Sequence, residues 1–110
     1  MSPQKINSEI EKLQKIKKDW LRTYARKDSA HELLGKISIF NHTFFVQFPA
    51  ASKFYNKNSD AEIYITDGIE DLEQYANSKL KQKDDKYFYS GIKNIERGLE
   101  RLIHHLQIDC

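Results

Sequence analysis

Apolar residues recur at intervals of three and four along almost the whole chain. Three S-x-x-E boxes stand beside these runs, at Ser8–Glu11, Ser29–Glu32 and Ser59–Glu62. In such a box the serine hydroxyl accepts from the backbone N–H three residues on. The glutamate reaches back to the serine N–H, so two orphan donors of a helix start are satisfied. A fourth start is available at Asp84-Asp85, where carboxylates suit the positive end of a helix. The pattern predicts a small antiparallel four-helix bundle, all-α in class.

The first predicted helix runs from about Ile6 to Arg26, with Ile6, Ile10, Leu13, Trp20 and Tyr24 on one face. In the second, Leu33, Ile37, Phe40, Phe44 and Phe48 keep helical spacing until Pro49 stops it. Segment 37–48 also reads as a β-hairpin, because Ile37–Ile39 and Phe44–Phe48 alternate around Asn41-His42-Thr43. Helix is preferred: Ser29 offers a start, and an isolated two-stranded hairpin is marginal in water. After a connection over 49–58, a third helix is expected from Ser59 to about Leu80, with Gly68 allowing a close helix crossing. The short link Lys81–Asp84 makes it an antiparallel neighbour of the fourth. There Phe88, Ile92, Ile95, Leu99, Leu102 and Leu106 alternate by four and three.

Composition narrows the picture. The 110 residues are expected to form one helical domain, 1–110, and thirteen aromatics argue against disorder. The single cysteine, Cys110, rules out an internal disulfide framework. No stretch approaches the ~18 apolar residues of a membrane span, so a cytoplasmic protein without membrane contact is expected. Charge is uneven: residues 1–30 carry a net of +4 and residues 59–85 a net of −5.

No motif specifies catalysis, and no cofactor, metal or small-molecule substrate is expected. His104-His105 point ~100° apart on a helix and do not readily share one ion. They read as surface histidines near a helix C-terminus. The carboxylates Asp67, Glu70, Asp71 and Glu73 read as a solvated face. Lys15, Lys18, Arg22 and Arg26 recur at three and four opposite the first apolar stripe, a row suited to successive phosphates. Phe45, Tyr87 and Tyr89 are candidate partner contacts, since exposed aromatics anchor protein partners or stack bases.

At Phe40-Asn-His-Thr-Phe44-Phe45, in a mostly helical small chain, the sequence resembles the N-terminal domain of PriC-type primosomal replication proteins. There an F-x-x-x-L/F-F element follows a first helix and precedes two more. Ile69–Leu72 and Ile92–Leu102 correspond to the later helices, so that the resemblance covers about residues 9–103. It implies a non-enzymatic adaptor that recognises stalled forks, through forked or single-stranded DNA and replication proteins, and helps to reload the replicative helicase. Such proteins usually carry a strongly basic C-terminal segment, and none lies within residues 1–110. The resemblance by itself therefore does not supply the DNA-binding share of the role. The competing class is a toxin-neutralising immunity protein, whose acidic third helix would cover a basic toxin surface.

Overall fold

The computed structural model describes residues 2–77 and 85–109. Four helices form: α1 (Pro3–Asp19), α2 (Ala30–Gln47), α3 (Asp60–Ala76) and α4 (Asp85–Ile108). Among the described residues there is no strand, so segment 37–48 is helical and the hairpin alternative falls away. Its packing explains the outcome. Leu33, Ile37, Phe40, Phe44 and Phe48 are all buried, a set that only a helical period places on one face.

The helix starts differ from the S-x-x-E expectation. Helix α1 begins at Ser2, whose hydroxyl accepts from the Lys5 N–H at 3.3 Å, with Pro3 in the first turn. A proline there loses no needed donor and has its φ preset, so this start supersedes the box at Ser8, which lies inside the helix. Ser29 precedes α2 but makes no side-chain cap. Only Ser59 caps as expected, accepting from the Glu62 N–H at 3.4 Å. Glu62 reaches one residue further than a capping box requires, accepting from the Asn58 N–H at 3.3 Å. Asn58 itself takes a positive φ of 75°, a conformation asparagine tolerates.

The first helix is also shorter than its pattern. A π-helical turn at Trp20–Tyr24 follows α1, and Arg26 then leaves the helix in extended backbone. Trp20 is buried with its ring edge-on to Phe40, centroids 5.3 Å apart. The predicted end of α3 near Leu80 and the link Lys81–Asp84 lie outside the described residues.

Helices α3 and α4 make the most extensive contact and run antiparallel. Asp60 at the start of α3 meets Arg101 and His105 late in α4, while Asp71 accepts from Ser90 at 2.7 Å near its beginning. Glycine makes this crossing close. A Cβ on Gly68 would lie 2.9 Å from the Gly91 carbonyl oxygen, and one on Gly98 only 2.3 Å from Ile65 Cγ1. Helix α1 packs on α4, and α2 packs on α3 and on the π turn. Lys27 ties the far end of the α1–α2 connection to Asp85 at 2.6 Å.

Two polar ties cross the core. Glu9 is almost fully buried, and its carboxylate accepts from the Ala50 and Ala51 N–H groups at 2.8 and 3.0 Å. It thereby fastens α1 to the turn after α2. Tyr55 donates to Asn41 Oδ1 at 2.6 Å, and burial pushes its hydroxyl pKa up, with the Glu62 charge adding to the effect.

Candidate functional site

The arrangement of helices sorts charge between helix pairs. Residues of α1, the π turn and α4 contribute ten Lys/Arg against six Asp/Glu, whereas α2 and α3 contribute one lysine against seven carboxylates. Helix α1 packs on α4 and α2 on α3, with the most extensive contact between α3 and α4, so the excess of cations belongs to the α1/α4 pair and the excess of carboxylates to α3.

In the basic pair, Lys15 and Lys18 stand exposed on α1, and Arg22 is exposed in the π turn. The turn shifts the phase of the residues that follow, and Arg26 lies beyond it. The expected row of four is thus one pair on α1 and two further exposed cations on differently shaped backbone. Helix α4 adds a part that the sequence reading missed. Lys93 and Arg97 are exposed at a spacing of four, and His104 follows seven residues later on the same face. His104 lines a cleft of about 400 Å³ between α1 and α4, together with Gln14, Lys17, Glu100 and Gln107. Lys17 spends its charge on Glu100 at 3.0 Å. The cleft therefore offers chiefly the Gln14 and Gln107 amides and the His104 imidazole, polar groups suited to phosphate and sugar oxygens.

On α3, internal contacts use up part of the charge. Asp60 accepts from Arg101 and faces His105, Asp71 is held by Ser90 and Asn94, and Glu62 accepts from Thr66. Asp67, Glu70 and Glu73 remain exposed on α3. Helix α2 turns large apolar side chains outward: Val46 is 86%, Ile39 63% and Phe45 58% exposed. Phe45 is thus on the surface, as its candidate role requires. Tyr89 is also exposed, with the Lys27 ammonium 5.6 Å from its ring, and Tyr87 is half-buried against the core. Phe45 lies 15 positions along α2 from Ala30, about 22 Å, so it does not join the tyrosines near Lys27 in one patch.

The histidine pair departs from the expectation of two surface residues. His104 is exposed, but His105 is half-buried and stacks on Phe54 with centroids 4.8 Å apart. Its Nδ1 lies 2.6 Å from Asp109 and its Nε2 3.1 Å from Asp60. Only the imidazolium donates from both nitrogens. The hydrogen bond to Asp109 raises the His105 pKa; burial opposes it and Asp60 adds to it. For Asp60 burial pushes the pKa up, but hydrogen bonds from Arg101 and His105 outweigh it and hold the carboxyl below its ordinary value.

These shifts fix a sign for pH dependence. The His105 contribution is fully present below the ordinary value of 6.5 and is lost as pH rises through the raised one. The Asp60 contribution is present above the ordinary 3.8 and is lost as pH falls through the lowered one. His105→Gln is therefore expected to destabilise more at about pH 6 than at about pH 8.5. Urea unfolding at both values checks this, and an equal loss at both counts against a charged imidazole.

Among the described residues, no group of three His, Cys, Asp or Glu side chains is placed to hold a metal ion, and no helix is long and apolar enough to cross a membrane. No protein-family model, curated protein or solved structure matches the chain.

Proposed function

We propose that the protein is a non-enzymatic adaptor that lays its α1/α4 side along a nucleic-acid backbone, in the manner of the replication-restart proteins its sequence resembles. The observation that carries this reading is the segregation of charge. Lys15, Lys18 and Arg22 are exposed on α1 and its π turn, and Lys93 and Arg97 are exposed on α4, against which α1 packs, whereas α3 is rich in carboxylates. Five exposed cations on two packed helices suit a phosphate backbone and read no base sequence. Forked or single-stranded DNA in the cytoplasm is the proposed ligand, with replication proteins as further partners.

The test reverses charge where no core contact is lost. Lys15→Glu, Lys18→Glu and Arg22→Glu combined are expected to weaken binding to a fluorescent forked DNA by at least about 100-fold at low salt. Helicity should be unchanged by circular dichroism. An affinity equal to that of the parent protein rejects the reading.

A second reading, neutralisation of a basic toxin, is favoured by Asp67, Glu70 and Glu73, which stay exposed after the other α3 carboxylates are engaged. Under that reading charge reversal on α1 leaves partner binding intact, and reversal of these three carboxylates abolishes it.

A further inference from the structure

Helix α2 buries one face and carries a second seam on its solvent side. Gly35, Ile39, His42 and Val46 recur at intervals of four, three and four, and all four are exposed. At helical spacing they fall roughly opposite the buried Leu33, Ile37, Phe40 and Phe44. The row holds no carboxylate, lysine or arginine, and the exposed Glu32 and Lys36 flank it at one end. Gly35 is its most informative member. At Gly68, Gly91 and Gly98 a Cβ would collide with the facing helix, which explains those glycines, whereas a Cβ on Gly35 would have nothing within 4 Å. Glycine inside a helix costs about 1 kcal/mol relative to alanine, and no packing within the chain accounts for this one. A bare stretch of backbone beside two exposed apolar side chains fits the close approach of a helix from outside the chain.

From this juxtaposition we propose that the outer face of α2 is the interface of an antiparallel homodimer, with Gly35 of one copy opposite Val46 of the other. The seam is complementary to itself. A two-fold axis between positions 40 and 41 sets Gly35 against Val46 and Ile39 against His42, each pair twice. The side chain that projects furthest, Val46 at 86% exposure, then enters the place where Gly35 has none. A parallel pair would put gap against gap and valine against valine. Charge selects the same arrangement. The antiparallel pair lays Glu32 and Lys36 over the uncharged Thr43 and Gln47 on the same flank of the second copy, whereas a parallel pair sets each beside its own image. Glu32 and Lys36 also cancel, so the face carries no net charge to attract a strongly acidic or basic partner. From Gly35 to Val46 the seam is only about 16 Å long. The contact is therefore smaller than a standard interface, and the dimer is a weak one. It uses no residue of the proposed nucleic-acid surface and does not rest on that reading.

Sedimentation of the full chain from about 10 to about 500 µM is expected to show a reversible monomer–dimer equilibrium, with a dissociation constant of about 100 µM. Ile39→Ser with Val46→Ser is expected to weaken it at least about tenfold. Both side chains are exposed, so helicity by circular dichroism should be unchanged. The register is read by cross-linking in a Cys110→Ser background, which removes the native thiol. Gly35→Cys with Val46→Cys is expected to give a disulfide-linked dimer under mild oxidation. Val46→Cys alone should not, because the two Val46 positions of an antiparallel pair stand about 16 Å apart along the helices. A chain that stays monomeric at about 500 µM overturns the proposal, as does a dimer that the serine pair leaves intact. Cross-linking by Val46→Cys alone as readily as by the pair overturns it too.

Discussion

Gly98→Leu is expected to cost more than about 3 kcal/mol and to lower the melting temperature by about 10 °C or more. Gly98 is buried on α4 against α3, and a Cβ there would meet Ile65 Cγ1 at 2.3 Å and the Ala61 carbonyl oxygen at 3.1 Å. Ile65 is itself fully buried, so it has no open space to move into. The two helices must separate, and Ile95, Leu99 and Leu72 then lose contact together. Stability of a domain this size is on the order of 5–15 kcal/mol, so the loss is a large share of it. Gly35→Ala is the control. A Cβ at Gly35 has nothing within 4 Å, and alanine in an exposed helix is expected to gain up to about 1 kcal/mol. Thermal melts of the two variants separate these cases. A Gly98→Leu protein that melts with the parent would mean that α3 and α4 do not cross closely there.

Glu9→Ala is expected to cost about 2–5 kcal/mol. The mutation removes a charged acceptor and leaves the Ala50 and Ala51 N–H groups buried without it. Each orphaned buried donor costs about 1–3 kcal/mol. Glu9→Gln keeps one oxygen and turns an amide NH₂ toward the other donor, so a smaller loss is expected. Urea unfolding gives the energies, and hydrogen exchange at the Ala50 and Ala51 amides gives the place. Undiminished protection of those two amides in Glu9→Ala would show that the tie is dispensable.

Both residues illustrate what a linear pattern carries and what it hides. The buried stripes of α2 and α4 were legible because Leu33, Ile37, Phe40, Phe44 and Phe88, Ile95, Leu99, Leu102, Leu106 repeat at the helical period, and burial follows period. Gly68 was legible as a crossing point, lying beside an apolar stripe. Gly91 and Gly98 carried the same signal, seven apart on α4, and were passed over. Glu9 left a trace too. It stands four before Leu13, within the buried face, where an acid is out of place. Its partners lie 41 and 42 residues away, and no local pattern reveals such donors.

Helix ends were read less well, for a local reason. Several S-x-x-E matches compete with stronger signals such as Ser2-Pro3, and the sequence alone does not rank them. The π turn at Trp20–Tyr24 answers to the docking of Trp20 on Phe40, a tertiary demand that helical spacing does not encode. For the same reason the basic row was drawn along one helix. In the structure Lys93 and Arg97 are further exposed cations on α4, the helix against which α1 packs. Likewise, the His105 contacts needed Asp60, 45 residues away, to become visible.

The most direct test of nucleic-acid binding is the salt dependence of the unmodified protein on a fluorescent forked DNA with single-stranded arms. With about five phosphate contacts, the slope of log K against log salt is expected near −3.5, or about 100-fold in affinity between 50 and 200 mM salt. Anisotropy titrations that show this steep loss are the predicted result. Absence of binding at the lowest salt, or an affinity that salt leaves unchanged, would contradict it.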